Sequence, residues 1–318
     1  MRADISIIVP VYQSESTLLV CLESVYHQEG VNIELVVVND GGDAARINDV
    51  CASLPKSKTI ETSVVDHSQN RGLLAARISG VEVATGQFLM HLDADDKLMP
   101  NVLSDVLSEM RSKQATCSLF SVLEQVGGET RPVSFGLELG NAQASPQSLL
   151  DRIYASHGDD WLWHVAWNKV WDREKLSHVI KNLPIAEHLV MYEDLLISLI
   201  CMSNLSEKDV ILLSDETFGL VYVRSEYSVT KRVKTHKAIV KNCRDTLFVI
   251  RYLQQNLVIS DEHRSNVAKM YEHMIDKNLP PLWMLKSYPK DFLILLFLIV
   301  RTVKIGYVWQ KFKTQIFK

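Results

Sequence analysis

Several things are missing from this chain, and each absence excludes something. It has no long hydrophobic run: Phe292 to Val300 is nine apolar residues, and a spanning helix needs about 20. Its five cysteines (Cys21, Cys51, Cys117, Cys201, Cys243) are scattered, odd in number and never in a CxxC pair. That pattern excludes a disulfide framework or a zinc site and points to a reducing compartment. The first apolar run is not followed by GxGxxG, as a dinucleotide fold would require. Pro10-Val11-Tyr12-Gln13-Ser14 is also unlike the Gly-rich, basic triphosphate loop of a nucleotidyltransferase. No overall positive charge is present: 34 Lys and Arg against 38 Asp and Glu give −4, which excludes a broad nucleic-acid footprint. The start, Met1-Arg2-Ala3-Asp4 before a five-residue apolar run, lacks the shape of a signal peptide, and a cytoplasmic protein is expected.

What remains is ordinary globular material of 318 residues, 47% hydrophobic and 23% charged, enough to bury a core without staples. Residues 281–318 carry a net +6, leaving −10 on the rest. A basic tail on an acidic body suggests an anionic partner for the tail.

The first third alternates strand and helix signals. Ile5 to Val9 reads as a buried parallel strand, and Ile33 to Val38, Thr62 to Asp66 and Gln87 to Leu92 as the second, third and fourth strands. Ser16 to Gln28 and Leu73 to Ala84 read as helices between them. Further on, Pro100 to Met110 and Glu193 to Met202 read as helices and Ala115 to Glu124 as a strand. Gly127 to Ser145 reads as loop, Val210 to Arg224 as two short strands, and the chain after Thr235 as helical. The order predicts an α/β fold with a mostly parallel, doubly wound, Rossmann-like sheet flanked by helices and a helical C-terminal extension. Ligands of such sheets bind beyond the carboxyl ends of the strands. Those ends carry Pro10-Val11-Tyr12, Asn39-Asp40, Asp66 to Gly72 and Asp93-Ala94-Asp95-Asp96. Carboxylates spaced i, i+2 in a turn suit an oxygen-loving cation, Mg²⁺ or Mn²⁺, which neutralises a diphosphate leaving group.

Ile7-Ile8-Val9-Pro10-Val11-Tyr12, Leu22-Glu23-Ser24-Val25 with Gln28, Val37 to Gly42, Asn70-Arg71-Gly72 with Ala76-Arg77, and Leu92 to Asp96 fall in order at the spacing of one family. Together they resemble glycosyltransferase family 2, with its GT-A fold, especially its bacterial surface-polysaccharide members. The likeness is specific over residues 5–110. It continues more weakly through Trp167-Asn168-Lys169-Val170-Trp171, Tyr192 to Leu196, and Tyr222-Val223-Arg224 with Ser228, and fades near Thr230.

The resemblance implies an inverting transfer of a sugar from a nucleotide diphosphate donor, a UDP-sugar by expectation, to a hydroxyl of a glycan or lipid-linked acceptor. A hexosyl- or N-acetylhexosaminyl-transferase is expected. By resemblance, Pro10, Val11 and Tyr12 line the nucleobase pocket, Asp40 accepts a hydrogen bond from the base, and Arg77 and Asp93 contact the nucleotide. Asp95 is the implied metal ligand. Glu193-Asp194 matches the general-base position, with Asp194 favoured. Lys169, Arg224 and Asp96 are implied contacts to diphosphate or acceptor. The sequence departs from the family at Gln13, at Asn39-Asp40-Gly41-Gly42 and at Ile78, which weakens donor assignment more than fold.

His91 and His164, flanked by apolar residues, read as satisfied core groups. Trp161, Trp163 and Trp167 read equally as a sugar-stacking set or as one packed strand face. Residues 1–230 are expected to form the catalytic domain and 231–318 a helical region. There Phe292 to Val300, among Lys290, Arg301 and other basic and aromatic residues, suits a helix lying on the inner face of the cytoplasmic membrane. A core helix, or homo-oligomerisation through the C-terminal helices, is the competing expectation. A non-catalytic nucleotide-sugar-binding or scaffold protein is the alternative function.

Overall fold

The structure, a computed structural model, describes residues 2–135, 142–155, 161–184, 188–189, 191–223, 235–257, 264–277, 287 and 289–302. Its frame is a ten-stranded mixed sheet. β1 (Ile5–Val11), β2 (Ile33–Asn39), β3 (Ile60–Asp66) and β4 (Phe88–His91) form a parallel half in the order β3-β2-β1-β4. α1 (Glu15–Tyr26), α2 (Ala44–Ser53) and α3 (Leu73–Val83) are the crossovers. Every residue of β1 and β4 is buried, as apolar runs covered on both faces should be.

The alternating pattern calls for a helix between β2 and β3 but assigns it no residue range. The signal of α2 is Asp43, whose carboxylate accepts from Arg46 N at 3.1 Å as an N-cap. α3 lies close on β1: a Cβ at Gly80 would stand 2.3 Å from Ile8 Cγ2. That approach fixes the depth at which the helix presents Arg77, three residues earlier.

Beyond β4 the sheet continues β9-β6-β10-β5. β5 (Lys97–Leu98) follows the acidic turn, and α4 (Val102–Lys113) leads to β6 (Ala115–Val126). The stretch read as loop contains two strands, β7 (Glu129–Val133) on β6 and β8 (Ala142–Ala144) on β10. β7 is mostly exposed and so carries no apolar alternation to betray it. α5 (Pro146–Ala155) and a single 3₁₀ turn (Trp161–Trp163) precede β9 (Lys169–Asp172), which is antiparallel to both β4 and β6. The tryptophans therefore do not share a strand face: the strand starts only at Lys169.

α6 (Arg173–Lys181) and α7 (Glu193–Ser203) follow, then β10 (Val210–Val223). β10 is one strand with register shifts between Ser214 and Leu220, not two strands. α8 (His236–Asn256), α9 (Arg264–Lys277) and α10 (Pro289–Thr302) form the helical extension. α8 packs on α7, α9 on α5, and α10 on α8. Phe292, Leu295 and Ile299 of α10 join the same hydrophobic core as the sheet, so one face of α10 is a packing element. Its other face exposes Leu293, Ile294 and Phe297.

Candidate active site

Two ionic networks lie side by side at the carboxyl edge of the parallel half. The first centres on Asp40, at the end of β2 and 2% exposed. Its Oδ1 accepts from Arg71 N at 2.8 Å and lies 2.8 Å from His67 Nδ1, while Oδ2 accepts from Gly72 N at 2.8 Å. His67 Nε2 in turn meets Ser79 Oγ at 2.9 Å. The loop from β3 to α3 is thus stapled to β2. Gly41, at φ 78°, passes so near it that a Cβ would lie 2.4 Å from Asn70 N. Asp40 therefore does a job the sequence did not suggest: it holds the loop, and one Oδ2 lone pair is the capacity left for a base.

Beside this staple, Pro10 and Val11 are buried in β1 and Tyr12 is 44% exposed at its end. Gln13 follows at φ 55°, a left-handed conformation rare for a non-glycine residue. Arg71 is exposed at the same mouth, with Nη1 3.5 Å from His67 Nε2.

The second network centres on Arg77. The reading that it contacts phosphate or ribose is corrected by its burial: the side chain is 0% exposed. Nη2 donates to Asp93 Oδ1 at 2.9 Å, Nη1 pairs with Asp194, and Glu193 Oε1 lies 3.7 Å away. One guanidinium thus ties the acidic turn after β4 to the N-terminus of α7, a contact between residues 117 apart in sequence. Burial works against its charge, and Asp194, Asp93 and Glu193 outweigh burial, so Arg77 stays firmly protonated.

The acidic turn closes with Asp96 N donating to Asp93 O at 3.0 Å. Asp96 is 1% exposed; its Oδ1 accepts from Val223 N at 2.9 Å and its Oδ2 has no partner. Burial, then the charges of Asp93 and Asp95, push the Asp96 carboxyl well up. Asp95 projects to solvent, yet desolvation and Asp93 push its carboxyl up to about 6. Glu193 is pushed up to about 8 by burial and then by Asp194, with Arg77 pulling the other way. Asp194 is raised by burial against the pull of Arg77. Tyr192, just before α7, holds φ 66°, so strained backbone flanks this network as it flanks the first.

Lys169 is another correction. Its side chain is fully buried, donating to Val165 O and to Asn168 Oδ1 (2.9 Å for the latter), so it braces the turn before β9 and is not open to a ligand in this structure. Burial pulls its ammonium down to about 8. Arg224 and Ser228 lie outside the described residues. His164, half-buried, is pulled down to about 4, first by burial and then by Lys169, and so is neutral. His91 is buried and likewise neutral, but it is not a satisfied group: neither ring nitrogen has a partner.

Asp93, Asp95, Asp96, Glu193 and Asp194 face two buried cations, Arg77 and Lys169. The raised carboxyls of Asp95 and Asp96 and the orphaned Asp96 Oδ2 suit a hard divalent cation at the acidic turn, where among the described residues no cation pairs with Asp95. Among the described residues, no three such side chains already converge as a coordination shell.

A family model described as "Glycosyl transferase family 2" matches residues 6–166. The chain belongs to glycosyltransferase family 2. EpsH of Bacillus subtilis (strain 168), named as a glycosyltransferase, is 26% identical over 192 residues, 60% of this chain and 53% of EpsH. The succinoglycan biosynthesis protein ExoO of Rhizobium meliloti (strain 1021) is 34% identical over 101 residues, 31% of this chain and 28% of ExoO. The matches thus span about half or less of these curated relatives. The crystal structure of S. aureus TarS 1-349 in complex with UDP-GlcNAc superposes with TM-score 0.71 at 18% identity. It covers 96% of this chain and 82% of that one, and the likeness shows a shared fold.

Proposed function

We propose that this chain transfers a sugar, with inversion, from a nucleotide diphosphate sugar to a hydroxyl of a bacterial surface glycan or lipid-linked saccharide. The observation that carries the reading is the Arg77 bridge, which brings the acidic turn at Asp93 and the carboxylate of Asp194 into one site at the sheet edge. Family membership supports it, as does the likeness to TarS, which was solved with UDP-GlcNAc. A UDP-sugar is accordingly the proposed donor. The likeness to a succinoglycan biosynthesis protein supports a polysaccharide acceptor.

In this reading Tyr12 and the β1 end bound the base, Asp40 offers its remaining lone pair to a ring N–H, and Asp93 meets the ribose. Asp95, with Asp96 beside it, would hold Mg²⁺ or Mn²⁺, which when bound supplies positive charge to the departing diphosphate. Asp194 takes the acceptor hydroxyl's proton as its oxygen bonds to the anomeric carbon and the bond to the diphosphate breaks. Its raised carboxyl makes it a stronger base than a free aspartate. Arg77 contacts no substrate: it positions Asp93 and Asp194.

Residues 1–230 form the catalytic domain in this proposal and 231–318 an appended region that docks on the membrane surface. Leu293, Ile294 and Phe297 are exposed on α10. Nearby Lys237, Lys241 and Arg244 line a pocket between α8 and α10. Apolar insertion and attraction to anionic headgroups would then act together. No helix among the described residues is long and apolar enough to cross a membrane. Co-sedimentation with anionic vesicles, lost in Phe297→Ser with Leu293→Ser, is expected. A dimer that splits in the same variant would assign the face to a second copy.

The function is tested by screening nucleotide sugars for metal-dependent hydrolysis and thermal stabilisation. Turnover of a UDP-sugar that stops with chelator is expected. Binding without turnover for every donor would make the chain a nucleotide-sugar-binding protein instead.

A further inference from the structure

We propose that Trp161 and Tyr222, backed by Trp167, form a stacking platform for a saccharide ring of the acceptor. This rests on the reading of the site as a glycosyl-transfer centre and names the face that receives the acceptor. Trp161 stands in the 3₁₀ turn, Tyr222 near the end of β10, and Trp167 between the turn and β9. Trp167 and Tyr222 stack with centroids 5.2 Å apart and 17° between planes. Trp161 lies tilted, 5.8 Å from Trp167 and 5.4 Å from Tyr222. Trp167 is 3% exposed, whereas Trp161 and Tyr222 are half-buried. One sealed ring thus supports two that keep part of their surface at the protein's exterior.

Two tethers place this cluster against the reacting groups. On one side, Leu220 and Val221 of β10 pair with Leu98 and Lys97 of β5. One further step in that register sets Tyr222 level with Asp96, and Asp96 Oδ1 indeed accepts from Val223 N. On the other side, Ser198 Oγ of α7 donates to His164 O at 2.8 Å, holding the turn that begins at Trp161. Ser198 follows Asp194 by four residues and so shares its helix face, one turn along. The platform is therefore bracketed by the acidic turn and by the proposed base.

Sheet order assigns the ligand. β3, β2 and β1 carry Asp40, Tyr12 and the loop to α3, all on one side of β4, while β10 lies on the other. The acidic turn after β4 stands between them. A nucleotide on the first side leaves the second for the molecule whose hydroxyl must reach Asp194. Sugar rings present a face of C–H groups, and the electron-rich faces of Trp and Tyr suit it. Stacking fixes the ring while leaving its hydroxyl edge free to meet a carboxylate.

Saturation-transfer NMR on the full chain would use millimolar glucose, galactose, mannose, N-acetylglucosamine and their methyl glycosides as probes. Wild type would be compared with Trp161→Ala, Tyr222→Ala and Tyr222→Phe, with UDP affinity measured in parallel by calorimetry. At least one sugar is expected to bind wild type and Tyr222→Phe alike. It should bind about tenfold more weakly to either alanine variant, in line with truncation of a buried aromatic anchor, with UDP affinity unchanged. Undiminished sugar binding by Trp161→Ala overturns the platform, as does a wild type that binds UDP but none of the sugars. Loss of UDP and sugar binding together in the alanine variants would mark the cluster as structural and also overturn it. Sugar binding that follows the expected pattern in a chain that ignores UDP would sink the donor assignment and leave the platform standing.

Discussion

The Asp40 and Arg77 networks sit on the same sheet edge and are opposite in character. Around Asp40 the carboxylate meets two backbone N–H groups and a histidine, and the loop it holds is finished architecture. Around Arg77, carboxylates outnumber cations, four carboxyls are pushed upward by burial and one another, and Asp96 Oδ2 and Arg77 Nε are left unpartnered. A nearly saturated network rigidifies, whereas an under-compensated one has more favourable binding left to offer. In the proposed function, the side that would take the nucleotide is built in advance. The chemical side waits for charge.

Substitutions at the Arg77 network should break function more than fold. Asp95→Ala should lower turnover by several orders of magnitude with little change in Tm, because Asp95 projects to solvent. Near-normal turnover in that variant, in the presence of chelator, would remove the metal from the account. Asp194→Asn keeps shape and loses basicity, so transfer should fall about 10²–10⁴-fold while UDP affinity holds. An inactive Glu193→Gln beside an active Asp194→Asn would exchange the two roles.

At the Asp40 network the order should reverse. Asp40→Ala strips partners from Arg71 N and Gly72 N, each costing about 1–3 kcal/mol when buried. Its denaturation midpoint should therefore drop clearly, and UDP affinity should fall with loop order. A variant as stable as wild type would mean the staple is dispensable.

The smallest effect concerns pH. The Glu193 carboxyl stands at about 8 in the folded chain against 4.5 when free. Between those values the folded state binds more protons, so this group's stabilising contribution declines as pH rises from its free value through about 8. Wild-type Tm should fall over that window by more than that of Glu193→Gln, which keeps the neutral form. Parallel curves for the two proteins would place the proton elsewhere.

Much of the parallel half was legible because its signals are local. β1, β2 and β4 are short apolar runs ended by polar turns, and the strand ends named the edge where the site lies. The partners of Arg77 were not legible, since a helix residue in a buried sequence context gives no sign of an aspartate 117 positions away. Lys169 misled for a related reason: its burial depends on Val165 O and Asn168, which sit beside it in a turn whose apolar spacing imitates a strand. β7 escaped because an exposed edge strand needs no apolar face, and β10 looked like two strands because its register shifts near Phe218.

In the proposed function, the Arg77 network is poised for a cation and a diphosphate together. Calorimetry of UDP binding with and without Mn²⁺, on wild type and Asp95→Ala, tests it most directly. Mn²⁺ should tighten UDP binding by at least about tenfold, or about 1.4 kcal/mol, in wild type and leave Asp95→Ala unmoved. Equal UDP affinity with and without the ion in wild type, or equal tightening in both proteins, would contradict it.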